Sequence, residues 1–325
     1  MEFRFLQIIP MMLVLAVAAT HSAVPVEMHW MSVFPNTPMP KALRNLLPSP
    51  AAAAAAAAAG GNHMKAAVAD MVNENKGFIN IPKLSAYRTS YKVTYGSNRN
   101  EEFADGNVTA NKDFFFFESK LHPGSKMNLK GLTGKASKTA FLPRLVADSI
   151  PFSTQKFAQV LHHFSLQPES AASKILKQTI EDCEAPAMEG EARYCATSLE
   201  SFVDLGVSML GQNIQLLSTE LERETQNQEF SIGEGMKMVG KSEIVCHKMS
   251  YAYAVFLCHS IDKTDLYKVP LVGEDGTRAA ALAVCHRDTS AWSPKHLAFQ
   301  ILKVEPGTVP VCHFLARDTL VWVSN

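Results

Sequence analysis

The spacing of apolar residues changes twice along the chain. Before about residue 110 it holds no sustained period; from about 153 to 211 it follows a helical period, and from about 229 it alternates. In "STQKFAQVLHHF", Phe157, Val160, Leu161 and Phe164 fall at i, i+3, i+4 and i+7, with Ser153 as N-cap. "SAASKILKQTIEDC" repeats the pattern with Ala172, Ile175, Leu176 and Thr179. "TSLESFVDLGVSMLG" opens with a capping box, Thr197 to Glu200, and closes with Gly211 past the last turn. These spacings predict three short amphipathic helices. Further on, "SEIVCHK", "YAYAVFLCHS", "LYKVPLV", "AAALAVCH", "LAFQILKVE", "VPVCHFLA" and "TLVWVS" read as strands, separated by the turn signals "GEDGTR" and "EPGTVP". The fold class that follows is α+β, a short helical block followed by a mostly antiparallel β C-terminal part.

The N-terminal third reads differently. Residues 1–22 carry an early arginine, an apolar run and small residues, the pattern of a secretory signal peptide cleaved between Thr20 and Ala23. The run is interrupted by Gln7 and Pro10, which argues against a membrane anchor. Residues 23–110 read as a variable, largely unstructured segment: a proline-rich stretch, then a polyalanine tract ended by glycines, which serves as a spacer. Tyr87, Tyr91 and Tyr95 recur every four residues, but their β-branched and Ser/Thr neighbours favour extended chain. Order is expected to begin at "DFFFFES". Four consecutive phenylalanines cannot all hide on one face of a strand, so at least two faces must be covered there.

Composition narrows the function. The 325 residues balance 31 basic against 31 acidic side chains, so charge gives no support to binding nucleic acid or an anionic membrane. About 47% of the chain is hydrophobic, enough for a substantial core. In a secreted protein the six cysteines pair by default as three disulfides. Cys183 and Cys195, flanking a short loop between two predicted helices, form one. Asn107, in Asn107-Val108-Thr109, is a glycosylation acceptor.

The other four cysteines each precede a histidine: Cys246-His247, Cys258-His259, Cys285-His286 and Cys312-His313, spaced C-H-x(10)-C-H-x(25)-C-H-x(25)-C-H. Structural zinc sites place ligands two to five residues apart around a tight turn, so adjacent Cys and His do not fit that pattern. Neighbouring residues of a strand point to opposite faces. The cysteines therefore gather on one side, as two disulfides in any of three pairings, and the histidines gather on the other. Four neutral imidazoles suit Cu(II), Ni(II) or Zn(II); copper is favoured for its nitrogen preference and redox capacity. His162 and His163, on a helix, read as surface or packing residues, and His296 as a group behind the ligands.

The four Cys-His pairs with this spacing, the phenylalanine run Phe114–Phe117 and the separate pair Cys183 and Cys195 resemble the BURP domain of plants. The likeness covers residues 114–325, and "HWMSVFPNTPMPKAL" resembles a short segment after the signal peptide in many members. The resemblance implies a single disulfide-bonded BURP domain over residues 111–325. It also implies a secreted protein of the apoplast or cell wall, tied to development or stress. Within the family some members resemble a non-catalytic polygalacturonase subunit, and others are copper-dependent peptide cyclases that cross-link Tyr or Trp side chains of a core peptide. On that resemblance His247, His259, His286 and His313 would hold copper. The implied partners are cell-wall polysaccharide or a peptide substrate, with no nucleic acid and no membrane anchor once the signal is cleaved. The chain departs from the self-cyclising pattern, because its N-terminal segment holds no repeat containing tryptophan. Trp30, Tyr87, Tyr91 and Tyr95 are its candidate cross-link substrates.

Overall fold

A computed structural model describes residues 26–48, 114–129, 139–226, 228–241 and 243–325. The expected signal peptide, the polyalanine tract, Tyr87, Tyr91, Tyr95 and Asn107 lie outside these residues. Among the described residues no helix is long and apolar enough to cross a membrane.

The described part of the N-terminal segment departs from the unstructured reading. Residues 26–48 form helices α1 (Val26–Val33) and α2 (Lys41–Arg44) and enter the core. Trp30 on α1 and Phe34 just past its end sit one turn apart, and Leu43 and Leu46 follow; none of the four is more than 7% exposed. Each short helix thus has one small apolar face, too brief to register as a period among the prolines. Trp30 stacks on Trp322 with ring centroids 6.0 Å apart, and its Nε1–H donates to the Thr37 carbonyl at 2.8 Å. Burying one large apolar side chain is worth about 1.5–3 kcal/mol, so four such contacts secure a segment with little propensity of its own. His29 and Arg144 both pair with Asp204 at the rim of this contact.

The helical block is α3 (Arg144–Ser149), α4 (Phe157–His163), α5 (Ala171–Glu184) and α6 (Leu199–Leu210). Its buried positions are those of the helical period: Val160 on α4; Ile175, Leu176, Thr179 and Ile180 on α5; Phe202, Val203 and Gly206 on α6. On α6 the N-cap is Ser198, one residue beyond Thr197, and Ser201 completes the capping box instead of Glu200. The Glu200 carboxylate accepts the Arg144 backbone N–H at 3.2 Å instead. Gly211 ends α6 at φ 80°, a left-handed-side conformation that glycine adopts without strain.

The strands are β1 (Phe115–Phe116), β2 (Lys126–Asn128), β3 (Glu191–Ala196), β4 (Ile214–Ser218), β5 (Glu220–Leu221), β6 (Glu229–Ile232), β7 (Lys237–Gly240), β8 (Glu243–Lys248), β9 (Phe256–Ile261), β10 (Thr264–Gly273), β11 (Arg278–His286), β12 (Val311–Phe314) and β13 (Leu320–Ser324). They make two antiparallel sheets, one in the order β3-β9-β8-β13-β4. The other runs β1-β12-β11-β10-β6-β2, with β5 and β7 attached. Alternation sorts their side chains into layers. Val245, Val321 and Val323 of the five-stranded sheet meet Leu266, Leu282 and Val284 of the other in an inter-sheet core. The opposite face of the five-stranded sheet carries Cys246, Cys258 and Trp322 against α1, α2 and α6. The opposite face of the larger sheet carries Cys285 and Cys312 with Phe116, Phe230 and Phe314. The phenylalanine run divides as alternation requires, Phe115 packing with Trp292 and Phe116 in the layer behind.

Two stretches expected as strands fold otherwise. "LAFQILKVE" contains helix α7 (Leu297–Leu302), because the His296 ring accepts the Ala298 N–H at 3.1 Å and caps it, and Lys303 at φ 56° ends it. Its apolar residues are dense enough to fit either period, so the cap decides. Residues 251–255 are a buried loop whose Tyr251 and Tyr253 pack on Phe164; the strand begins at Phe256.

Candidate metal centre

The four Cys-His pairs occupy two hairpin-like strand pairs of the same construction. Cys246 lies directly opposite Cys258 across β8 and β9, and Cys285 directly opposite Cys312 across β11 and β12. Both pairs are disulfides, as is Cys183–Cys195. This arrangement selects one of the three pairings that the sequence leaves open. Because each histidine follows its cysteine, the two histidines of a strand pair lie diagonally across the ladder on the other face. That face points toward the neighbouring sheet in both cases.

The diagonal brings side chains within reach. His247 Nε2 is 3.2 Å from His259 Nε2, and the rings of His286 and His313 stack at 5.6 Å. His259, His286 and His313 are each 2% exposed, whereas His247 is only part-buried and marks the side nearest solvent. Burial first, and then the charge of the neighbouring imidazoles, pushes His247 and His286 well below the usual histidine range. Burial takes His313 down to about 4 against a partly offsetting hydrogen bond to the Phe314 carbonyl. His259 is also lowered by burial, and Glu191 offsets part of that shift. All four rings are thus neutral at pH 7, the form in which imidazole ligates metals.

The far ring nitrogens of His286 and His313 are hydrogen-bonded to protein groups, and that of His259 faces a carboxylate without a hydrogen bond. His286 Nδ1 is 3.0 Å from Thr264 Oγ1, His313 Nδ1 donates to the Phe314 carbonyl at 3.2 Å, and His259 Nδ1 is 3.2 Å from Glu191 Oε1. The Nε2 atoms of His286 and His313 are buried with no hydrogen-bond partner. Buried polar atoms left without a partner are uncommon and call for an explanation. Anchored Nδ1 and unused Nε2 is the disposition of metal-ligating histidine, so this donor set fits a nitrogen-preferring cation. Among the described residues no three or more His, Cys, Asp or Glu side chains already form a metal site; the imidazoles stand as two pairs, one on each sheet.

An aromatic wall encloses the second pair. Trp292 meets His286 edge-on at 4.9 Å, Phe114 stacks on His313 at 6.0 Å, and Phe115 meets His313 edge-on at 5.8 Å. His296 lies behind the pair, its ring 4.6 Å from Trp292, and it caps α7. Over the first pair, the Cys183–Cys195 disulfide ties the end of α5 to β3. His162 is exposed and His163 packs on Phe164, away from the four. Trp30 lies in the core beneath α6, 2% exposed, and so is not presented to a reagent.

Sequence reasoning missed Glu191, Thr264 and Trp292. Glu191, Arg193 and Cys195 alternate along β3 and share a face, and that period was the available signal; the stretch reads instead as a short loop between two helices.

The protein-family model for the BURP domain matches residues 114–324. The chain is 47% identical over 220 residues to BURP domain protein RD22 of Arabidopsis thaliana, covering 66% of this chain and 56% of that protein. It is 43% identical over 237 residues to BURP domain-containing protein 3 of Oryza sativa subsp. japonica, covering 71% and 54%. BURP domain-containing protein 2 of the same rice matches at 36% over 335 residues, covering 99% of each chain. The chain thus spans about half the length of the first two relatives.

Proposed function

The chain belongs to the BURP-domain family, and on that premise we propose that it is a secreted protein of the plant apoplast or cell wall, acting in development or stress, whose His247, His259, His286 and His313 hold a copper ion. The observation that carries the copper reading is the pair of buried, partnerless Nε2 atoms on His286 and His313, beside the two Nε2 atoms of His247 and His259 at 3.2 Å. Bound copper would supply one-electron redox capacity. The chain's own part is to keep four imidazoles neutral, to fix the Nδ1 atoms of His286 and His313 on Thr264 and Phe314, to set the Glu191 carboxylate beside His259, and to exclude water with Trp292, Phe114 and Phe115. Secretion is supported by three disulfides in a chain with no free cysteine among the described residues. Cell-wall polysaccharide or a peptide is the partner this location implies.

The test is metal analysis of the purified full chain after loading with Cu(II), wild type against His259→Ala and His286→Ala. About one copper per chain is expected in wild type and a large loss in both variants; equal content in all three would sink the four-imidazole site.

Copper-dependent cross-linking of a peptide is the alternative, favoured by His247 being less deeply buried than the other three histidines. With Trp30 packed in the core, its candidate substrates in this chain are Tyr87, Tyr91 and Tyr95. Incubation with Cu(II) and dioxygen, digestion and mass spectrometry would show a loss of two hydrogens in their peptides. Unchanged masses would rule out self-cyclisation.

A further inference from the structure

The two histidine pairs are alike in their strands and unlike in their surroundings. His286 and His313 offer Nδ1 to neutral oxygens, the Thr264 hydroxyl and the Phe314 carbonyl. His259 offers Nδ1 to a carboxylate: Glu191 Oε1 is 3.2 Å away, and both side chains are 1% exposed. Among the described residues it is the only carboxylate in ion-pair contact with any of the four.

A carboxylate is rarely kept out of water without compensation; in Glu191 one oxygen is hydrogen-bonded, while Oε1 has no hydrogen bond and meets His259 Nδ1 at ion-pair distance. Oε2 accepts the Met188 backbone N–H at 2.9 Å. Arg193, on the same face of β3, adds a positive field while donating to the Asp182 carbonyl. A purely mechanical role, holding β3 in place, is already filled. The strand pairs with β9 from Glu191 to Ala196 and is tied to α5 by Cys183–Cys195.

Building on the four-imidazole reading, we propose that Glu191 is a positioning residue: it holds the proton of His259 on Nδ1 and turns the Nε2 lone pair toward His247 and the metal, making His259 the strongest donor of the four. Carboxylate–histidine–metal relays raise ligand basicity in this way. The arrangement also accounts for the 3.2 Å approach of the two Nε2 atoms. With His259 protonated on Nδ1, its Nε2 accepts a hydrogen bond from His247 Nε2–H, and metal binding requires that proton of His247 to move to its own Nδ1.

Two measurements on the full chain test the proposal. Selective 15N-histidine labelling and long-range proton–nitrogen NMR of the metal-free wild type read the tautomer directly. The Nδ1–H form of His259 is expected, and the Nε2–H form would overturn the proposal whatever the protein does with copper. The second compares Cu(II) affinity, by chelator competition, and the electron paramagnetic resonance spectrum of wild type, Glu191→Gln and Glu191→Asp. Glu191→Gln is expected to bind about 10- to 100-fold more weakly with a shifted spectrum, and Glu191→Asp to recover part of both. A folded Glu191→Gln with unchanged affinity and spectrum would also overturn it. Should wild type bind no copper, the four-imidazole reading fails, and the tautomer still decides the role of Glu191.

Discussion

The Nε2 atoms of His247 and His259 lie 3.2 Å apart on two strands whose preceding cysteines are bonded to each other through the opposite face. The disulfide therefore does two things at once, shortening the unfolded chain's reach and fixing the diagonal on which the imidazoles meet. Cys183–Cys195 closes a loop with the same sequence separation, 12 residues, so the chain-entropy model assigns both about 3 kcal/mol. The double variant Cys246→Ala/Cys258→Ala and the double variant Cys183→Ala/Cys195→Ala should lose similar stability in urea. Metal affinity should separate them, the first falling much further because its imidazole pair loses its frame. Equal loss of affinity would mean that the cross-strand bond does not set the diagonal.

Glu243 predicts an unusual pH response. It begins β8 on the inter-sheet face, 3% exposed, with neither carboxylate oxygen hydrogen-bonded. Burial, reinforced by the charge of Asp265, pushes its pKa up to about 8 from 4.5. Between those values the unfolded chain releases a proton that the folded chain keeps, so this group's contribution to stability declines as pH rises. Each unit is worth about 1.4 kcal/mol at most. Glu243→Gln should therefore be more stable than wild type by on the order of 2–4 kcal/mol at pH 7.5, with the difference vanishing near pH 4. Urea titrations at both pH values check it, and a constant difference would show that Glu243 is not the titrating group.

Gly206 sets how closely α6 approaches the five-stranded sheet. A β-carbon there would stand 2.9 Å from the indole ring of Trp322, and that ring is fully buried between α6 and Trp30. Neither neighbour can yield easily, so overpacking should cost about 1–3 kcal/mol for Gly206→Ala and more for Gly206→Val. Thermal melts should order the three proteins accordingly. Because α6 lies on the cysteine side of the sheet, copper content per folded chain should stay unchanged.

These features were unevenly legible in the sequence. Alternation along a strand is a local property, so the separation of cysteines from histidines followed from "VCHK" and "FLCHS" without knowledge of the fold. The pairing of cysteines did not, because it depends on which strands become neighbours. Trp30 illustrates the opposite limit. Its burial depends on Trp322 and Phe202, which are distant in sequence, and a two-turn helix between prolines carries too few residues to show a period. Glu191 was hidden for a third reason: its stretch reads as a loop between helices, and only the pairing of β3 with β9 sets it beside His259. The difference at α7 belongs to a stretch where six of nine residues are apolar, and the ring of His296, used as a cap, decides for helix over strand.

The division of the four histidines between two sheets gives the last prediction. His247 and His259 belong to the five-stranded sheet, and His286 and His313 to the larger one. A copper ion gripping all four would join the sheets across their shared core, and binding to the folded state alone would stabilise it by mass action, about 2.7 kcal/mol at a hundred times the dissociation constant. Removing one ligand from either sheet should then abolish most of that gain. Unfolding of wild type, His259→Ala and His313→Ala should be followed with Cu(II) and again with a chelator. The expected result is a large copper-dependent shift in wild type and a small one in both variants. A shift lost in one variant and intact in the other would place the metal on a single pair, leaving the second as buried imidazoles that serve the core.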